Sequence, residues 1–160
     1  MDVDAPKAGT ADLYDEHSRA LYAYALSLTG DAVLSEDIVH DAFVRLIESD
    51  RDVASVGPFL FTVVRNLVFD SRRRRARSRE LPLPLSPSPT RPDDGLADAA
   101  SRALGRLPEE QREAVVLKIY GGLTFAAIGE LTGTTTATAA SRYRLALEKM
   151  AASLSKETSP

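Results

Sequence analysis

The stretch ELPLPLSPSPTRPDDGLAD, residues 80–98, holds five of the chain's nine prolines: Pro82, Pro84, Pro87, Pro89 and Pro92. Prolines so closely spaced remove backbone donors and bias the chain toward extended polyproline II, so neither a helix nor a central strand continues through them. A chain of 160 residues interrupted at this point is expected to build two small cores joined by a linker. Leu81, Leu83 and Leu85 leave that linker able to make docking contacts.

Both halves read as helices. From Leu13, residues Leu13, His17, Leu21, Tyr24 and Leu28 recur at a spacing near that of one helical face, and Gly30-Asp31 ends the pattern. Ser35 is the expected N-cap of a second helix, with Glu36 and Asp37 in its first turn where the dipole favours acid. That helix would run through Ile38, Ala42, Phe43, Leu46 and Ile47. After a polar loop, Pro58 suits the first turn of a third helix, PFLFTVVRNLVFDSRRRR, with Phe59, Val63, Leu67 and Asp70 on one face. Beyond the linker, a short helix from Ala99 to Arg106 precedes one opened by Pro108, Glu109 and Glu110 and stopped at Gly121-Gly122. Thr124 caps the next, Gly133 makes a tight turn, and Thr134 to Thr136 cap a last helix through Met150. Two short helices joined by a Gly-containing turn describe a helix-turn-helix. Ala139, Tyr143, Ala146 and Met150 would face inward there, and small Ala126, Ala127 and Gly129 would let the two helices cross closely. The fold class is all-α: two small helical domains, the second a helix-turn-helix (winged-helix-like) DNA-binding domain.

Charge gives the first indication of a partner. Residues 72–79 read RRRRARSR, and residues 65–79 carry seven Arg against one Asp, while the whole chain is at −3. Cations gathered this tightly in an acidic protein aim one surface at a polyanion; a solvated linker is the plainer alternative. The absence of Cys excludes a disulfide scaffold and any thiolate metal site, and fits a reducing compartment. The acidic, polar N-terminus is not a signal peptide, and no apolar run approaches the ~18 residues of a membrane span. A cytoplasmic protein with no membrane insertion is expected.

Three stretches, in order, resemble the extracytoplasmic-function (ECF) sigma factors of RNA polymerase, a two-domain group of the sigma-seventy superfamily. SEDIVHDAFVRLIES is similar to the helix that docks on the polymerase clamp. PFLFTVVRNLVFDSRRRR is similar to the helix that opens and reads the −10 promoter element. ALGRLPEEQREAVVLKIYGGLTFAAIGELTGTTTATAASRYRLALEKM is similar to the domain that reads the −35 element. The resemblance implies a region 2 domain at 12–79, a linker at 80–98 and a region 4 domain at 99–152, between disordered ends at 1–11 and 153–160. It implies polymerase contact through Asp37, His40, Asp41 and Arg45. It implies −10 contacts through Ser55 and Val56, whose loop would capture a flipped base, and through Phe59, Arg65, Asn66, Arg72, Arg73, Arg74 and Arg75. It implies −35 contacts through Thr135, Thr136, Thr138, Ser141, Arg142 and Arg144. The partners would be core RNA polymerase, promoter DNA and an anti-sigma factor, with no cofactor. Phe59 stands where the family commonly has Trp, and packing in the core is the competing role for it and for Phe61.

One departure matters for the last domain. Ala139-Ala140 stands where the family's recognition helix often carries a Val-Lys or Val-Arg pair, leaving residues 124–150 at only +1. Reading of a −35 element should therefore lean on Thr135, Thr136, Ser141 and Arg144, with Tyr143 compensating for the thinner packing. Asp37-x-x-His40 resembles half of a di-metal site, but the other histidine, His17, is preceded at that offset by Tyr14, so no metal is expected. No phosphate-cradling loop or nucleophile elbow is present, and the chain is not read as an enzyme. A free-standing helix-turn-helix regulator would explain residues 99–150 but leave the first half idle. A nucleic-acid-processing enzyme would need ligands that are missing.

The linker supplies a prediction. Its nineteen residues, 80–98, reach at most about 60 Å at ~3.1 Å each, or about 17 base pairs at ~3.4 Å each. Deleting Pro82 to Pro89 should therefore lower transcription from a two-element promoter or shift its preferred spacer, measured on templates of varied spacing. Identical activity and optimum on every template would mean that the linker sets no distance.

Overall fold

A computed structural model describes residues 9–50, 52, 55–78 and 95–158. Arg79, the five linker prolines, the linker leucines and residues 51, 53 and 54 of the loop expected at 51–57 lie outside the described residues. The described residues form seven helices and no strand, in two compact units, 1–85 and 86–160.

The first unit holds α1 (Thr10–Thr29), α2 (Ala32–Glu48) and α3 (Val56–Ser78). The Gly9 N–H donates to Asp12 Oδ2 at 3.3 Å as α1 opens, and Gly30 closes the helix with φ 66, a conformation glycine adopts without steric cost. The next residue starts α2. Asp31 Oδ1 accepts from the Leu34 N–H at 3.1 Å, so Asp31, and not Ser35, is the N-cap. Ser35 lies inside α2 and is buried, its hydroxyl 2.7 Å from the Asp31 carbonyl and 2.8 Å from Thr29 Oγ1. The correction has a simple cause. Asp31 leaves the glycine turn extended and reaches the orphan amides first, which starts the helix a turn earlier. Glu36 and Asp37 consequently sit in the second turn.

The core of this unit joins Leu21, Tyr24 and Leu28 of α1 to Ile38, Ala42, Phe43 and Leu46 of α2 and to Leu60, Phe61, Val64 and Val68 of α3. The Tyr24 and Phe61 rings meet edge to face, centroids 5.7 Å apart. Burying a ring such as Phe61 contributes about 1.5–3 kcal/mol, so Phe61 is core. Ile47 is 63% exposed, because one residue past Leu46 the helix has turned about 100° away from the core face.

The second unit holds α4 (Gly95–Gly105), α5 (Glu109–Ile119), α6 (Phe125–Thr132) and α7 (Thr136–Thr158). Leu107, Val115 and Ala146 form a buried cluster against which Leu104, Tyr143 and Met150 pack. Tyr143 also meets Phe125, ring centroids 5.4 Å apart. Thr124 caps α6 by accepting from the Ala127 N–H at 3.1 Å. Gly133 turns the chain at φ 73, and Thr135 Oγ1 caps α7 by accepting from the Thr138 N–H at 3.1 Å. This is the helix-turn-helix, with no strand beside it among the described residues.

Two ends differ from expectation. Helix α4 begins at Gly95, four residues ahead of the expected Ala99. Helix α7 runs to Thr158 instead of giving way to a disordered tail at 153. Its last turn is held to α4: Glu157 takes Arg102 at 3.1 Å and lies 3.6 Å from Arg106, which also donates to Ser153 Oγ at 3.3 Å. No helix among the described residues is long and apolar enough to cross a membrane.

Gly129 is where α6 passes the turn. A Cβ there would stand 3.0 Å from the Thr134 carbonyl oxygen and 3.0 Å from the Thr135 carbonyl carbon, both backbone, and the turn is pinned by the Thr134 N–H donating to the Gly129 carbonyl at 2.8 Å. Gly129→Ala should destabilise this unit by about 1–3 kcal/mol in chemical denaturation of the full chain. Gly105→Ala, with nothing within 4 Å of its Cβ, should be neutral or slightly stabilising. Equal stability of the two variants would contradict the close crossing.

Candidate polymerase and nucleic-acid surfaces

The arginine run is not one uniform patch. Arg72 Nη2 donates to the Leu28 carbonyl at 2.7 Å, at the C-terminal end of α1 where the helix dipole is negative. Arg75 Nη2 lies 3.5 Å from Asp31 Oδ2, the carboxylate that caps α2. Arg73 pairs with Asp70 one turn earlier. Arg73, Arg74 and Arg77 are exposed, as are Thr62 and Asn66 on the same helix. Arg65 is half-buried, its guanidinium 4.5 Å from the Phe69 ring centroid, and Arg72 lies 5.0 Å from that centroid.

Near the start of α3 the expected base-capture residues separate. Ser55 is half-buried, its hydroxyl donating to the Asp52 carbonyl at 3.0 Å. Val56 is the first residue of α3 and only 2% exposed. Its side chain belongs to the core, so it cannot line the loop surface expected of it; a β-branched apolar residue at the start of a core helix gains more by burial than by exposure. Phe59 is half-buried.

On α2, Asp37, His40, Asp41 and Arg45 are all exposed, at spacings of three, one and four that keep them on one side of the helix. Asp37, His40 and Glu36 also border a groove of 560 Å³ whose other wall is Tyr14, Ser18, Arg19 and Tyr22 of α1. Val33 and Ile47 are exposed at the two ends of the same helix. The periodicity of α2 marks its inner face clearly; it gives no sign of the groove, which arises only when α1 is laid alongside.

In the second unit the expected recognition residues are partly committed. Arg144 Nη1 donates to Glu148 Oε1 at 3.0 Å, and Arg142 Nη2 lies 3.8 Å from Glu110 Oε2. Thr135 spends its hydroxyl lone pair on the α7 cap. Thr136 and Arg144 are exposed, while Thr138, Ser141 and Arg142 are half-buried. Ala139 and Ala146 are buried.

Residues 13–78 match the Sigma-70 region 2 family and residues 97–150 match Sigma-70, region 4. The chain is 32% identical over 151 residues to the ECF RNA polymerase sigma factor SigL of Mycobacterium tuberculosis, covering 86% of this chain and 84% of that protein. It belongs to the ECF sigma factors. A solved structure of the sigma factor RpoE in complex with the anti-sigma factor NepR from Bartonella quintana has a similar fold, with a TM-score of 0.68 at 22% identity, covering 90% of this chain and 97% of that one. The M. tuberculosis extracytoplasmic function sigma factor SigJ gives a TM-score of 0.58 at 30% identity, over 87% of this chain and 53% of SigJ.

For this sigma factor the Asp31 corner makes a direct prediction. Asp31→Ala removes both the α2 cap and the Arg75 partner and should lower local stability by about 1–2 kcal/mol. The measurement is amide hydrogen exchange at Leu34, which should accelerate. Asp31→Asn keeps the cap and loses the charge, so its exchange should fall between the two. Unchanged exchange in the alanine variant would contradict the capping assignment.

Proposed function

We propose that this alternative sigma factor, which directs RNA polymerase to promoters, divides the work between the faces of its two units. The exposed stripe Asp37, His40, Asp41 and Arg45 on α2 docks core polymerase. The exposed side of α3, with Asn66, Arg73, Arg74 and Arg77, lies along −10 DNA, with Ser55, Phe59 and Arg65 near its opening end. Helix α7 presents Thr136, Thr138, Ser141, Arg142 and Arg144 to the −35 element. The observation carrying this reading is that one three-helix unit exposes Asp37 and Asp41 on one helix and Arg73, Arg74 and Arg77 on another. Opposite charge on separate faces suits a protein that must bridge a polymerase and a polyanion.

The recognition helix is weakly cationic and two of its arginines already face carboxylates. Binding at −35 therefore depends on tethering to the first unit, which raises its effective concentration at the promoter. The role is binding and positioning, carried out in the cytoplasm where the polymerase works, with no catalytic step. An anti-sigma factor, the class of partner with which the similar RpoE structure was solved, is proposed as the inhibitor. A free-standing regulator would leave both faces of the first unit without work.

Asp37→Lys with Asp41→Lys should weaken binding to core polymerase by about tenfold, read by competition for the core enzyme, while circular dichroism stays that of the parent. A folded double variant with parental affinity would remove α2 from the docking face.

A further inference from the structure

Helix α3 carries two stripes with different commitments. Arg65, Phe69, Arg72 and Arg75 follow one another at spacings of four, three and three, which places them on one side of the helix, and all four are half-buried. Each makes an internal contact. The Arg65 and Arg72 guanidinium carbons stand 4.5 and 5.0 Å from the Phe69 centroid. Arg72 also donates to the Leu28 carbonyl at 2.7 Å, and Arg75 lies 3.5 Å from Asp31 Oδ2. Asn66, Arg73, Arg74 and Arg77 lie on the other side, exposed.

We propose that Phe69 is a positioning residue at the centre of an internal strap, Arg65–Phe69–Arg72–Arg75, which sets the angle of the cationic end of α3 against the α1–α2 corner. The phosphate-contacting arginines are then Arg74 and Arg77; neither Arg72 nor Arg75 is among them, and Arg73 is already paired with Asp70. This rests on the reading of α3 as a promoter-facing helix. The physical argument is one of occupied donors. A guanidinium stacked on a ring, with a nitrogen on a helix-terminal carbonyl, is aimed inward at a site whose partial negative charge already favours it. Arg75, opposite a carboxylate, is likewise neutralised. The strap also removes two like charges from a five-arginine end that would otherwise repel itself along the helix. Phe69 belongs to none of the charged or polar sets that sequence periodicity singles out. Its role emerges only from the two guanidinium groups that converge on it.

The test uses the full chain bound to core polymerase on a promoter fragment. Every arginine that neutralises a phosphate should, when its charge is removed, reduce the slope of log K against log salt by about 0.9. Arg74→Gln with Arg77→Gln should therefore lower the slope by about 1.8. Arg72→Gln, which loses the charge but keeps an N–H for the Leu28 carbonyl, should leave the slope unchanged. For Phe69, promoter opening is read by permanganate reactivity of unpaired thymines at saturating protein, with circular dichroism confirming the fold. Phe69→Leu should reduce opening by about two- to fivefold, and Phe69→Tyr should restore it. The strap is overturned if Arg72→Gln lowers the slope by about 0.9, or if folded Phe69→Leu opens DNA as the parent does. If the Arg74/Arg77 pair leaves the slope unmoved, it is the underlying promoter-facing reading that fails.

Discussion

Helices α1 and α2 meet at Gly30-Asp31 with ends of opposite polarity, and the geometry of the first unit depends on how that corner is neutralised. The last carbonyls of α1 carry partial negative charge and the first amides of α2 partial positive charge. Asp31 answers the amides with one carboxylate oxygen and offers the other to Arg75, while Arg72 answers the Leu28 carbonyl. Two residues of α3 thus fasten both ends of a turn forty-odd positions earlier in the chain. The corner fixes where α3 lies, and the position of α3 determines which arginines reach solvent.

From that arrangement the exposed faces of α2 and α3 follow. With Leu60, Phe61, Val64 and Val68 turned to the core, the opposite side of α3 is left to Asn66 and the outer arginines. Helix α2, whose inner face is spent on Ile38, Ala42, Phe43 and Leu46, shows Asp37, His40, Asp41 and Arg45 outward, with Val33 and Ile47 at its ends. The second unit obeys a different constraint. A close helix crossing at Gly129 and two threonine caps define the turn, and Arg142 and Arg144 of α7 face Glu110 and Glu148.

Most helices were legible because their apolar spacing and breakers agree: Gly30, Gly133, Thr124 and Pro108 all act where the pattern places them. Misreadings arose where two residues compete for one role. Asp31 and Ser35 are both good caps, and only the direction in which the chain leaves Gly30 decides between them. Val56 reads as loop because Gly57 and Pro58 follow it, yet burial draws it into α3. The α7 extension was hidden because SLSKET carries little periodic signal and is held by long-range pairs to Arg102 and Arg106. The inward commitment of Arg72 and Arg75 could not be seen in RRRRARSR, since identical side chains acquire different partners only once α1 is in place.

The central claim is that this chain acts through polymerase, selecting promoters as part of it. Run-off transcription by core polymerase on a library of genomic fragments, with and without the purified chain, tests it most directly. The account predicts new, discrete start sites that appear only with the chain and share two conserved elements upstream at a near-constant spacing. Absence of new starts, together with binding of the chain alone to duplex DNA and repression of existing transcripts, would contradict it.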